Sequence, residues 1–164
     1  QGKHVTAGNA SGVNDGSCAI LVASEAALKT HSLTPRARVV AMATAGVPPR
    51  IMGIGPAPAT KKVLALTGLS IDQMDVIELN EAFAVQAVGF MKHFGMKLPE
   101  DPRLNPYGGT IAMGHPLASS GVRLSIQLAQ DFELNPKAKY GLTTMCVGLG
   151  MGGSIIWENA IGKF

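Results

Sequence analysis

Apolar residues recur along this chain in two spacings, and the switches between them mark out its elements. Residues 18–23 (CAILVA) form a continuous apolar run that predicts a buried strand, and residues 24–31 (SEAALKTH) predict a helix capped at Ser24. Residues 37–47 (ARVVAMATAGV) read as a second strand, closed by Pro48-Pro49, which cannot continue a hydrogen-bonded ladder. Residues 56–68 (PAPATKKVLALTG) carry prolines at the start and a glycine at the end, the asymmetry of a helix, and Ser70 and Gln73 fit a capping box for one short turn. Residues 75–79 (DVIEL) are strand-like, whereas Phe83, Ala87 and Phe90 fall at helical spacing within residues 80–91, so Asn80 stands at a strand-to-helix junction. Val122, Ile126 and Ala129 make one apolar face of a helix over residues 121–132. Two closing strands, residues 140–147 and 154–158, flank a glycine turn. Strands alternating with helices predict an α/β fold, and the short turn between the last two strands makes the sheet mixed: five strands flanked by helices. No repeat, linker or low-complexity stretch divides the 164 residues, which predict one domain over 1–164.

Composition narrows the function. Hydrophobic residues make up 46% and charged residues 15%, below the roughly 25% of ordinary soluble domains, and there are 20 glycines and 10 prolines. Such a chain is rich in small residues or belongs to a larger buried assembly. The net charge of +3 is modest and Lys61-Lys62 is the sole adjacent basic pair, so a nucleic-acid partner is not expected, while an anionic small ligand fits. No run approaches the roughly 18 apolar residues of a membrane span, and the first residues carry no apolar signal stretch; no membrane partner and a cytoplasmic setting are expected. The two cysteines, Cys18 and Cys146, are far apart with no C-x-x-C, which indicates neither a metal site nor a disulfide framework.

Three polar residues are expected each on a tight, glycine-bearing connection after a strand: Asn80, His115 and Cys146. Active sites of α/β sheets gather at strand ends, so the three could converge. His115 lies in GGTIAMGHPLASSG (residues 108–121), held in direction by Pro116 and surrounded by small residues that leave room for a ligand. Taken singly, each has a plain structural role: a core histidine bonded to a carbonyl, a small buried thiol, a helix cap.

The end of the chain spells a second motif. Gly148, Gly150 and Gly153 fit G-x-G-x-x-G, but the dinucleotide fingerprint needs a helix next, and SIIWEN reads as a strand. These glycines suit better a backbone whose N–H groups face a reacting group beside Cys146, as in an oxyanion hole.

Together these stretches carry a resemblance. TAGNASGVNDG (residues 6–16), IMGIGPAPAT (51–60), NEAFA (80–84), GGTIAMGHP (108–116) and CVGLGMGG (146–153) resemble, in order, the blocks of the C-terminal half of thiolases, the acyl-CoA acyltransferases. MATAGVPPRIMGIGPAP together with DVIELNEAF is most similar to β-ketoadipyl-CoA thiolases. The resemblance implies a thiolase fold and an enzyme that cleaves a 3-ketoacyl-CoA with CoA, or runs the reverse Claisen condensation. It also implies CoA as a substrate, no tightly bound cofactor, and a homo-oligomer, dimer or tetramer, in the full-length enzyme.

Roles follow by resemblance, residue by residue. His115 activates a nucleophilic cysteine and, with a water held by Asn80, donates to the thioester oxygen as the enolate develops. Cys146 moves the α-proton as acid and base, since thiol and thiolate exchange near neutral pH. Gly148 gives a backbone N–H to the second oxyanion hole. Ser11 matches a position that contacts the pantetheine of CoA, and Met52 and Phe83 match positions lining the acyl pocket.

The family's acylated cysteine belongs to an N-terminal thiolase domain, in a block that these residues do not contain. Cys18 is no substitute, because its apolar neighbours predict an inert, buried thiol. Where relatives carry a loop glycine and an asparagine, this chain has Ala118 and Tyr107; alanine would strain the loop if position 118 required a positive φ. The isolated chain is therefore expected to be inactive and to require the N-terminal domain as a partner. A non-catalytic acyl-CoA-binding or assembly module is the alternative. A Cys-His hydrolase using Cys146 and His115 would leave the order of the five blocks without a reason.

Overall fold

The computed structural model describes residues 4–163, so residues 1–3 and 164 of the domain expected over 1–164 lie outside the described residues. Helix α1 (Glu25–His31) begins where Ser24 Oγ accepts the Ala27 N–H at 3.2 Å. The strand β1 (Ala37–Gly46) runs to the prolines, and a 3-10 turn (Pro49–Ile54) leads into α2 (Pro56–Thr67), which stops at Gly68 in a left-handed conformation. Strand β2 (Val76–Leu79), helix α3 (Ala84–His93), the one-turn α4 (Thr110–Met113) and the long α5 (Leu117–Leu134) follow. Strands β3 (Tyr140–Val147) and β4 (Met151–Asn159) close the chain.

The sheet runs β1-β4-β3-β2, with β1/β4 and β4/β3 antiparallel and β3/β2 parallel, so it is mixed as expected. It has four strands among the described residues, not five. Residues 18–23 carry the apolar content of a strand but pair with nothing, and Leu21 and Val22 are exposed. A strand needs a paired neighbour, and among the described residues these have none. The other expected elements are present with shifted bounds: α3 starts at Ala84, with Phe83 ahead of it, α5 at Leu117, ahead of the expected residue 121, and β4 at Met151, ahead of the expected residue 154. The pattern predicts no α4.

Helices cover both faces of the sheet. On one, Ala57, Val63 and Leu64 of α2 and Phe90 and Met91 of α3 pack with Ile77, Leu79, Leu142 and Ile156. On the other, Leu128 and Phe132 of α5 pack with Val76 and Trp157. Alternation along β2 therefore puts Ile77 and Leu79 in one core, and sends Val76 and Glu78 to the α5 side. Complete burial of Phe90 and Phe132 contributes roughly 1.5–3 kcal/mol each. What this layering does for function is simple: the ends of β2 and β3 and the start of α5 meet at one rim.

Candidate active site

Cys146 is the penultimate residue of β3, and β4 returns after a turn in which Leu149 (φ 68°) and Gly150 (φ 90°) both take left-handed conformations. A side chain at Gly150 would run into Val47 O, which accepts no such neighbour, so glycine there lets the turn fold tightly against the end of β1. Gly148, by contrast, has nothing within 4 Å of where a Cβ would stand, and it lines the same cavity as Cys146. This turn leads into a strand, β4, so the dinucleotide reading of the glycines fails as expected.

His115 sits between α4 and α5, with only 7% of its surface exposed. Its N–H donates to Asn14 Oδ1 at 2.8 Å, and Gly114 ahead of it takes φ 96°, a conformation strained for any other residue. The ring is held at both nitrogens. Nδ1 lies 2.7 Å from Ser120 Oγ, and that hydroxyl lies 3.1 Å from Pro116 O, to which it donates. Ser120 therefore accepts the Nδ1 proton, which leaves Nε2 as the basic nitrogen of the neutral ring. Nε2 lies 3.4 Å from Asn80 Nδ2. Burial, aided by the nearby Arg123 charge, lowers the imidazole pKa from its ordinary value, so the ring stays neutral.

Asn80 follows β2 directly and is fully buried. It is not a helix cap: α3 begins after Phe83, and the Asn80 side chain turns to His115. Its Oδ1 has no protein partner among the described residues. Its carbonyl accepts from Gln86 Nε2 at 3.0 Å, and the same Gln86 side chain presents Oε1 to the Cys146 thiol at 3.5 Å. Burial raises the Cys146 pKa above that of an ordinary thiol, so the group is protonated at neutral pH.

The NASG stretch completes the wall. Ser11 N–H donates to Ala82 O at 3.0 Å, and Ala84 N–H donates to Asn9 O at 2.9 Å, laying residues 9–11 along the loop that follows Asn80. The result is a cavity of about 270 Å³ lined by Ser11, Met52, Phe83, His115, Cys146 and Gly148, with Val13 and Leu117 at its apolar side. Six of the seven residues singled out in the sequence face one space, and the seventh, Asn80, backs His115. An imidazole, a thiol and a backbone amide around an apolar cavity can move protons to and from carbon and hold a developing oxyanion. Among the described residues no cluster of metal-ligating side chains exists.

Two expectations change. Cys18 is partly buried, and its thiol donates to Ser119 O at 3.1 Å instead of lying among apolar side chains only. Ala118 lies in the first turn of α5 with an ordinary helical backbone, so it strains nothing. Sequence reasoning missed Asn14, Gln86 and Ser120. Gln86 had a signal, being the lone polar side chain among residues 82–91; Ser120 had one in its place four residues after Pro116, where a helical serine reaches back to a carbonyl.

Residues 33–159 match the family model described as thiolase, C-terminal domain. A 3-oxoadipyl-CoA/3-oxo-5,6-dehydrosuberyl-CoA thiolase of Escherichia coli K12 is 58% identical over 156 residues, covering 94% of this chain and 38% of that protein. A β-ketoadipyl-CoA thiolase of Pseudomonas putida is 53% identical over 150 residues, 92% of this chain and 37% of the relative. The crystal structure of human mitochondrial 3-ketoacyl-CoA thiolase in complex with CoA superposes with a TM-score of 0.89 at 42% identity, over 94% of this chain and 38% of that one. The chain thus spans a little over a third of the length of these relatives.

Proposed function

The chain belongs to the thiolase family by its C-terminal domain, and from that membership we propose that it is the C-terminal half of an acyl-CoA acyltransferase. The assembled enzyme cleaves a 3-ketoacyl-CoA with CoA, or joins two acyl-CoAs in the reverse Claisen direction. The observation that carries the proposal is the convergence of His115, Cys146 and Gly148 on one cavity, with Asn80 behind the imidazole. The similarity to proteins named for 3-oxoadipyl-CoA supports a 3-oxoacyl-CoA of that kind as substrate.

In thiolysis the neutral His115 takes the proton of the acyl-carrying cysteine, which the N-terminal half supplies. The thiolate attacks C3 of the substrate, and the C2–C3 bond breaks to leave an acyl-enzyme and the enolate of acetyl-CoA. The protonated Nε2 and a water on Asn80 Oδ1 hold the enolate oxygen. The Cys146 thiol then gives its proton to C2, releasing acetyl-CoA. As a thiolate, Cys146 removes the proton of incoming CoA, whose sulfur takes the acyl group, and His115 returns its proton to the departing cysteine. The roles suit the electrostatics: a buried imidazole stays a base until it accepts a proton, and a buried thiol is protonated at rest yet strongly basic once ionised. The Gly148 N–H donates to the oxyanion of the acyl-transfer step; losing one such donor typically costs roughly 10²- to 10³-fold in rate.

The same reading makes the N-terminal half the partner of the exposed apolar residues Val13, Leu21, Val22 and Leu149, and makes the complete enzyme a homo-oligomer. The test is thiolysis of acetoacetyl-CoA and β-ketoadipyl-CoA by this chain alone and after mixing with an N-terminal thiolase half. Turnover is expected only in the mixture. Turnover by the chain alone would place the nucleophile here, and binding of CoA thioesters without turnover in the mixture would make this a binding module.

A further inference from the structure

Asn80 is gripped from both sides by a network that contains none of the proposed catalytic groups. Strand β2 is an edge of the sheet, and residues 103–105 run beside it: Ile77 N–H donates to Arg103 O at 2.7 Å, and Asn105 N–H donates to Ile77 O at 2.8 Å. The backbone ladder then stops, and the Asn105 side chain continues it. Its Oδ1 accepts the Leu79 N–H at 2.8 Å and its Nδ2 donates to Leu79 O at 3.0 Å, so both backbone groups of the residue before Asn80 are held by one amide. To aim that amide along the strand, Asn105 adopts φ 45°, a left-handed conformation that asparagine tolerates better than most residues.

The residue after Asn80 is held as firmly. Glu81 N–H donates to Thr110 Oγ1 at 2.8 Å. Its carboxylate accepts from Asn105 Nδ2 at 2.7 Å through one oxygen and from Ile111 N–H at 3.4 Å through the other. The backbone at Gly109 lies so near that a Cβ there would fall on the Glu81 carboxylate. Thr110 in turn accepts the Gly114 N–H on its carbonyl at 3.0 Å, one residue before His115. The strand end that bears Asn80 and the turn that bears His115 are therefore tied through Asn105, Glu81 and Thr110, none of which lines the substrate cavity.

We propose that Asn105 and Glu81 are positioning residues for the reaction: they fix Asn80 against His115, and act through no contact with substrate. The inference rests on the thiolase reading above. The physical reason lies in the 3.4 Å separation of Asn80 Nδ2 and His115 Nε2, which is near the limit of a hydrogen bond, so a shift of under 1 Å in either loop removes it. A water and an enolate oxygen shared between these two side chains need the same register.

The test uses the enzyme assembled from this chain and an N-terminal half, with Glu81→Ala, Glu81→Gln, Asn105→Ala and Thr110→Val, each alone and combined with Asn80→Ala. In the Asn80 background that is otherwise native, Glu81→Ala and Asn105→Ala lower kcat by roughly 10- to 100-fold with KM within about twofold. Thr110→Val and Glu81→Gln, which each keep part of the network, lose less. When Asn80 is already alanine the same substitutions cost little more, because residues acting through one another are not additive. A purely structural role would give equal losses in both backgrounds, or a KM that rises with the loss of kcat; either result overturns the proposal. If Glu81→Ala does not fold, Glu81→Gln and Thr110→Val decide by the same comparison. Failure of the thiolase reading looks different, since the unsubstituted mixture would then show no thiolysis at all.

Discussion

His115 Nδ1 lies 2.7 Å from Ser120 Oγ, one turn into the helix that the histidine precedes, and this contact sets which nitrogen can act. The hydroxyl donates to Pro116 O and can only accept from the ring. Ser120→Ala removes that acceptor and leaves the tautomer unfixed. A fall in kcat on the order of tenfold is expected, a part of the 10²- to 10⁴-fold that a positioned acid or base supplies. Nitrogen NMR of the ring should show both tautomers in the variant and one in the parent; a single unchanged tautomer would contradict the assignment.

The pH–rate profile has a direction at each limb. Burial and the Arg123 charge lower the His115 pKa from its ordinary 6.5, and burial raises that of Cys146 from its ordinary 9.0. The proposed mechanism needs the imidazole neutral and the thiol protonated, so kcat/KM of the assembled enzyme is expected to be flat between an acid limb below 6.5 and a basic limb above 9.0. A narrow bell inside that interval would mean that other groups govern the reaction.

Gly114 offers a test of the loop itself. Its φ of 96° disfavours any side chain, and a Cβ would stand 2.8 Å from the Asn14 Oδ1 that holds the His115 N–H. Gly114→Ala is expected to destabilise the chain by roughly 1–2 kcal/mol from backbone strain alone. Asn14→Ala, which removes only the hydrogen bond, should cost about 1 kcal/mol. Equal melting temperatures for parent and Gly114→Ala would contradict the strained geometry.

Much of this was legible in the chain because the relevant signals are local. Prolines and glycines bound α2, Ser24 caps α1, and the alternation of apolar runs and turns gave the order of elements. Asn80, His115 and Cys146 do come together, but only Asn80 follows a strand: His115 lies between α4 and α5, and Cys146 is still within β3. What stayed hidden depends on contacts between distant residues. Residues 18–23 have the composition of a strand, but pairing is a property of the neighbour, and none is present among the described residues. Asn105 looks like one more loop asparagine until its amide is seen to extend β2. Glu78 reads as one more residue of a strand, and nothing local shows that it is fully buried on the α5 side.

That buried glutamate makes stability depend on pH. Burial, reinforced by the Asp131 charge and opposed by Arg123, raises the Glu78 pKa to about 8 from 4.5, and burial raises Asp131 to about 6 from 3.8. Their four carboxyl oxygens have no hydrogen-bond partner among the described residues. Each group binds its proton more tightly in the fold than in the unfolded chain, so stability is greatest below the unfolded values and declines as pH rises through the folded ones. The decline is about 1.4 kcal/mol per pH unit for each extra proton held. Melting temperature should therefore fall from pH 5 to pH 8, and Glu78→Gln should raise it at pH 8 while changing little at pH 5. A melting temperature independent of pH would refute the buried pair.

The central claim is that Cys146 moves a proton to and from the α-carbon of a CoA thioester. Its most direct measurement is deuterium uptake from heavy water into the methyl group of acetyl-CoA by the assembled enzyme, compared with Cys146→Ala. Exchange by the parent and a loss of roughly 10²- to 10⁴-fold in the variant are expected, with acylation of the N-terminal cysteine by a 3-ketoacyl-CoA, which precedes the Cys146 step, retained. Exchange by Cys146→Ala at the parent rate would contradict it.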